Sequence, residues 1–497
     1  MPLPILMGIM RSRCRELFRT ASAVCVTGLI LVCSADNPAS GQEIPGADPR
    51  RLNWPAASAP FEMDGVLRPP APVQNAAADY LLALRHFSPE MEICFAASES
   101  RQIETRHAKQ RSNMLRELIL QRRADRSAVS MDAIATVVDE YEDGWDALIR
   151  AQQKPECMFL TGLSFQAMLP HLPAARQVAR VAVLRVELAV ARGEIGTAIA
   201  TIGQVLRLSR DLRPAGFQVS QQISMAMETE VFGRMLPRVL SASELSVEDC
   251  DQLIRQTREH LQSGLDLLTT GYRMEYILVR TLYEDLLQKT GDFDRDEIRR
   301  STGQSDLTVD DYIGQILFQD PQSDAARNYL FQIDQTTDER RLEELSVLNR
   351  AFDGLLNAPR TPFRTVSGQI IEYETELREN SRLLRPLLPS FLAFYRATTR
   401  HTAMIRASLV VLAVRRADLL PERTGPLTAK QACRMAGLLD VPVDPYDGQA
   451  VRFVENKEAR VVYCVGSDGV DDAGRIDWEM GQKPGDFLFP VPHSGRQ

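Results

Sequence analysis

The stretch Val181–Leu212, VAVLRVELAVARGEIGTAIATIGQVLRLSRDL, decides how the rest of the chain is read. Its second half carries Ile195, Ala198, Ile199, Ile202, Val205 and Leu206 at three-and-four spacing, the mark of one buried helical face. Its first half is apolar nearly all round, through Val181, Val183, Leu184, Val186, Leu188 and Val190, which suits a helix packed on several sides. Gly193-Glu194 lies between them, and a glycine there can take the left-handed conformation that ends one helix before the next begins. The spacing predicts a helical hairpin at the centre of an α-helical body.

Helical patterns continue on both sides of the hairpin. Upstream, Asn75 is a good N-cap before AAADYLLALRHF, and Ile103–Arg123 and Asp132–Gln152 repeat at helical period. Downstream, Pro214 marks a break, and a helix follows to about Leu240. One long helix is expected after Ser243–Glu244, reading LSVEDCDQLIRQTREHLQSGLDLLTTGYRMEYILVRTLYEDLL, and a second over Asp324–Leu356. Phe391–Val414 is a further packed helix, too briefly apolar to span a bilayer. Past Pro442 the period changes to two, and Ala450–Gly466 reads as a β-hairpin turning at Asn456-Lys457-Glu458. The expected fold class is therefore mainly α, with a small C-terminal α+β module made of a long helix and a β-hairpin.

Four segments follow: 1–35, 36–74, 75–385 and 386–497. In the first, Arg11, Arg13, Arg15 and Arg19 precede the apolar run Ala21–Ala35, the pattern of a secretory signal peptide, with an uncleaved anchor as the alternative. The second holds Pro38, Pro45, Pro49, Pro55, Pro60, Pro69, Pro70 and Pro72, a density that excludes long helices and leaves an extended spacer. The third is the helical body and the fourth the α+β module. Export to the periplasm or beyond is the expected location, with membrane contact only through the N-terminal segment.

Composition narrows the function classes. The chain has 497 residues, a formal charge of −8 and only 6% aromatics, so neither a basic face for nucleic acid nor a stacking platform is expected. Outside the N-terminal segment the cysteines are Cys94, Cys157, Cys250, Cys433 and Cys464, an odd and scattered set with no CxxC. Cys433 and Cys464 read either as a pair formed after export or as two buried thiols. The histidines (His86, His107, His171, His260, His401 and His493) are scattered singly and read as surface or core residues. Asp292-x-Asp294-x-Asp296 imitates an EF-hand start, but Glu297 stands where glycine is needed and Gly303 where glutamate is needed. No P-loop, GxGxxG, HExxH or GxSxG motif is present.

Two resemblances add expectations. Gly193, Ala198, Ile199, Val205 and Leu206 resemble the second-helix pattern of a tetratricopeptide unit; one copy is legible where a solenoid needs about three, so TPR-like packing and a plain bundle both stay open. Asp444-Pro445-Tyr446-Asp447-Gly448-Gln449, followed by Tyr463-Cys464-Val465-Gly466-Ser467-Asp468-Gly469 and Asp471-Asp472, is similar to the C-terminal part of the type II secretion major pseudopilin (G-type). Uncharacterised exported bacterial proteins carry a similar tail behind a helical domain, and this chain looks like one of them. The pseudopilin's prepilin leader and its Gly-x-(Tyr/Phe)-Pro turn are missing, so the resemblance implies the fold without the polymerising function. It also implies a calcium loop. Asp468, Asp471, Asp472 and Asp477 place hard oxygen donors at short spacing, as Ca²⁺ requires, although the same residues suit a solvated turn.

The sequence thus reads as an exported, non-enzymatic helical scaffold for a protein partner in the cell envelope. A secretion-apparatus component and an enzyme whose site is assembled from distant residues are the alternatives. A pocket holding a His–acid pair would favour the enzyme, and a smooth helical groove the scaffold.

Overall fold

The computed structural model describes residues 59–63, 66–89, 91, 101–125, 129–159, 169–263, 266–290, 293–296, 298, 308–318, 320–421, 426–455, 460–474 and 485–492. Leading in are the helices α1 (Ala77–Leu84), α2 (Arg101–Ala124), α3 (Met131–Asp139) and α4 (Glu142–Ala151). The central hairpin is α5 (His171–Ala191) against α6 (Ile195–Asp211). Gly193 between them sits at φ +76°, the left-handed conformation expected of it. Helix α7 (Gln218–Glu230) runs through a π turn (Val231–Met235) into α8 (Leu236–Leu240). It packs on both arms of the hairpin.

The run from Ser243 is two helices where one was expected: α9 (Val247–Gln262) and α10 (Leu267–Gln288). Ser246 and Asp249 form a reciprocal capping box that starts α9. Asp266 restarts the chain by accepting from the Leu268 amide at 3.1 Å. Likewise Asp324–Leu356 divides into α12 (Asp324–Asp334) and α13 (Asp338–Asn357), after α11 (Val309–Phe318), because Thr337 caps the second piece. The pattern at 132–152 also breaks, at Glu140-Tyr141. At Asp266 and Thr337 the apolar period continues across a polar cap, and the cap decides; at Tyr141 no side chain caps the new helix.

Helix α14 (Phe363–Asn380) leads to α15 (Phe391–Leu419), the longest element and the structural spine. Ser390 caps it through the Ala393 amide, and Glu374 of α14 accepts from the Leu392 amide at 3.2 Å. Helix α15 meets α7 with its π turn, α9, α10 and α14, and also the sheet and α16 (Ala429–Met435). Gly271 of α10 lets α15 approach closely, since a Cβ there would stand 2.6 Å from the Phe394 ring.

The expected hairpin is present as β1 (Arg452–Glu455) and β2 (Arg460–Cys464), antiparallel with Phe453 opposite Val462. A third strand corrects the two-stranded expectation: β3 (Phe487–Pro490) pairs with β2, placing Phe489 opposite Val462 and giving the order β1-β2-β3. Its four residues end in proline, which suits an edge and gives no alternating signal long enough to read. The protein is mainly helical with this small antiparallel sheet near its C-terminus, and one hydrophobic core runs from Ala76 to Val491. Phe61 of the proline-rich segment docks edge-on to Tyr276 at 5.4 Å. Residues 1–35, and Trp54 with them, lie outside the described residues. Among the described residues no helix is long and apolar enough to cross a membrane. Cys157, Cys250, Cys433 and Cys464 are separate buried thiols.

Candidate functional site

A buried carboxylate organises the densest polar cluster. Glu228, near the end of α7, is fully shielded from solvent, and an isolated charge there would be prohibitively costly. Four side chains from distant segments answer it. Ser209 of α6 and Arg213, just beyond α6, donate to one carboxylate oxygen. Nε2 of His401 on α15 bonds the other oxygen, and Nε2 of His260 at the end of α9 lies 3.0 Å from it. Burial alone would raise the Glu228 pKa; Arg213, then His260 and His401, hold it well below the usual carboxylate range.

The geometry fixes the His401 ring. Nε2 faces a carboxylate oxygen and must carry its proton there, so in a neutral ring the lone pair falls on Nδ1. That Nδ1 is buried with no hydrogen-bond partner, and so is Nε of Arg213. His260 has a second neighbour: its Nε2 is 3.1 Å from Nη2 of Arg213.

His401, His260 and Arg213 all line a cavity of about 230 Å³, enclosed by the α9–α10 junction, the Arg360-Thr361 segment, α15 and Pro445. Two more arginines reach it. Arg360 pairs with Asp266 at 3.0 Å and also bonds Thr269. Arg406 donates to the Val443 carbonyl at 2.8 Å and has no ion pair among the described residues. The hydroxyls of the α15 wall are turned to the helix backbone: Thr398 and Thr399 donate to the Tyr395 carbonyl, and Thr402 to the Thr398 carbonyl. Tyr395 donates to the Arg360 carbonyl at 3.1 Å. The wall is rich in cations, and the threonine hydroxyls that α15 contributes to it are committed to the backbone.

Sequence reading took each histidine singly and missed this cluster. His260 and Glu228 are 32 positions apart and His401 is 173 from Glu228. The nearest available signal was the placing of His401 on the inward side of a packed helix. The other histidines fall as expected of surface or core residues, where described: His107 is exposed, while His171 is buried and stacked on Phe159 at 4.7 Å. His493 is outside the described residues.

In the acidic loop, named from sequence as a candidate calcium site, one of the four acids, Asp471, is paired with an arginine. Asp468 accepts from the Val470 amide within its own turn. Asp471 accepts from Nε of Arg452 at 2.7 Å, from the Tyr463 hydroxyl at 3.2 Å and from the Ala473 amide at 2.9 Å. The same guanidinium reaches Asp447 at 2.5 Å and Asp444 at 3.4 Å. Asp472 contributes its backbone amide to Asp486, which also takes the Gly474 amide at 2.8 Å. Asp477 is outside the described residues. Arg452 thus links Asp444, Asp447 and Asp471. Among the described residues no three His, Cys, Asp or Glu side chains converge as a metal set.

No family model, curated protein or solved structure matches the chain, so the chemistry of the site is argued from its own geometry.

Proposed function

We propose that this chain is an exported helical protein that binds a small oxyanion, a carboxylate or a phosphate-like group, in the cavity between α9, α10 and α15. The observation that carries the reading is the excess of cationic side chains on the cavity wall. Arg213 is matched by Glu228 and Arg360 by Asp266, which leaves Arg406 as an extra positive charge. A cleft lined by charges of one sign concentrates ions of the other sign. The helical scaffold expected for a protein partner becomes, in this reading, the frame of a small-molecule site. Export rests on the Arg-rich start and the apolar run at 21–35.

Calorimetric titration of the full chain at constant ionic strength tests the reading. Sulfate serves as the tetrahedral probe and trifluoroacetate as the carboxylate, since both stay ionised from pH 5 to 8. At least one is expected to bind, and Arg406→Met to weaken it about tenfold, the equivalent of ~1.4 kcal/mol. Absence of binding by both probes at every pH in that range overturns the proposal. A second reading, an enzyme using His401 as a base, is favoured by the Glu228–His401 pair and disfavoured by the backbone-bound hydroxyls.

A further inference from the structure

We infer that the cavity holds the carboxylate of a single-chain fatty acid, whose hydrocarbon tail runs on along α15 between α9 and α16. The inference rests on the proposed anion-binding reading and names the class of its ligand.

A second cavity receives the tail. It has a volume of about 210 Å³ and is lined by Leu261 of α9, Leu409 of α15, and Leu438 and Leu439 just after α16. Arg258 and Asp440, one of each sign, also line it, so it has no net charge. Leu261 lines the first cavity as well, and the two meet at that side chain. On α15, Ile405 and Arg406 line the first cavity and Leu409 the second. Spacings of three and four put these residues on one helical face, with Leu409 roughly 4.5 Å beyond Arg406 along the axis.

The turn that ends α16 presents the leucines. Gly437 takes φ +69°, its amide donates to the Arg434 carbonyl at 3.0 Å, and the Leu438 amide donates to the Cys433 carbonyl at 2.9 Å. A glycine-ended turn of this kind packs the next apolar residue inward, and Leu438 is buried. Leu439 is 96% exposed, although the turn requires nothing apolar there. Leu261, in the last turn of α9, faces water too. Apolar surface thus leads away from a cation-lined cavity, and a hydrocarbon chain laid on it would leave water.

Charge assigns the two ends. Arg406 has no ion pair among the described residues, and one uncompensated guanidinium matches a head group with one negative charge. A carboxylate meets that requirement. The leucine-lined cavity without net charge takes the methylenes.

The test titrates the full chain at pH 7 with butyrate, hexanoate and octanoate, each below its micellar concentration. Affinity is expected to rise about fourfold for each methylene added. Octanol, with the same chain and no charge, is expected to bind at least about tenfold more weakly than octanoate. Leu439→Gln, at an exposed position that accepts a polar side chain, is expected to cut the gain from butyrate to octanoate about tenfold. Equal affinity along the series, or octanol binding as well as octanoate, overturns this inference; binding of sulfate or trifluoroacetate then leaves the anion site standing. Failure of both of those probes overturns the site itself and the inference with it. Sedimentation of the ligand-free chain is expected to show a monomer. A dimer that Leu439→Gln disperses would give the leucines to a second copy and overturn the assignment of the tail.

Discussion

Two buried residues away from the cavity set opposing responses to acid. Burial lowers the His171 pKa to about 4, so its charged form is excluded from the fold. Stability from this residue is present above the unfolded histidine's value and is lost as pH falls towards 4. Burial raises Glu275 to about 7, with the Gln218 amide opposing, so its contribution runs the other way and is lost as pH rises from 4.5 to 7. Between pH 4.5 and 6.5 the two largely cancel, and single substitutions should separate them. Glu275→Gln keeps an acceptor for the Gln218 amide and is expected to stabilise the protein at pH 7 by up to about 3 kcal/mol, with no gain at pH 4.5. His171→Phe keeps the stack on Phe159 and is expected to remove about 2 kcal/mol of the stability lost between pH 6.5 and 5. Urea unfolding at the paired pH values measures both; equal pH slopes for variant and parent would refute the assignment.

At the scale of elements, the turn of the central hairpin gives a sharp comparison. Gly193 is held at φ +76° with open space around it, so Gly193→Ala adds backbone strain and no clash. It is expected to cost about 1 kcal/mol. Gly196, three residues on in α6, has equally open surroundings and an ordinary helical backbone, so Gly196→Ala is expected to stabilise by ~0.5–1 kcal/mol. Midpoints of chemical denaturation that shift in the same direction for both would contradict the reading of the turn. This hairpin was legible from sequence because its information is local: period, glycine and apolar faces all lie within one stretch. The divisions at Asp266 and Thr337 were hidden because a capping side chain interrupts the backbone without interrupting the apolar rhythm. Strand β3 was hidden because four residues carry no measurable period. The Glu228 cluster was hidden for a stronger reason, since no local pattern connects α7 to the middle of α15. At the acidic loop the carboxylates were visible in sequence, whereas Arg452, which links three acids of this region from a neighbouring strand, was not.

For the whole molecule, α15 is the element on which the parts depend together. It lies against four helices of the body and against β2 and β3, so the body and the C-terminal sheet cannot lose their packing independently. Arg460 of β2 reinforces the join through a buried pair with Asp418 near the end of α15. Ellipticity of the helices and fluorescence of Trp145, buried beside Phe87 in α4, are expected to change in one coincident transition. A chain ending at residue 385 is expected not to fold, and two separated transitions in the full chain would show that the spine is not shared. The four buried thiols give this architecture a practical use. Burial makes them poor nucleophiles, pushing Cys433 up to about 11 and Cys250 to about 12 and raising Cys157 and Cys464 as well. They are spread from the loop after α4 to the last turns of the fold, so alkylation at each becomes a stopwatch on the opening of its own neighbourhood. A chain labelled at all four sites at one common rate would be coming apart as a single piece.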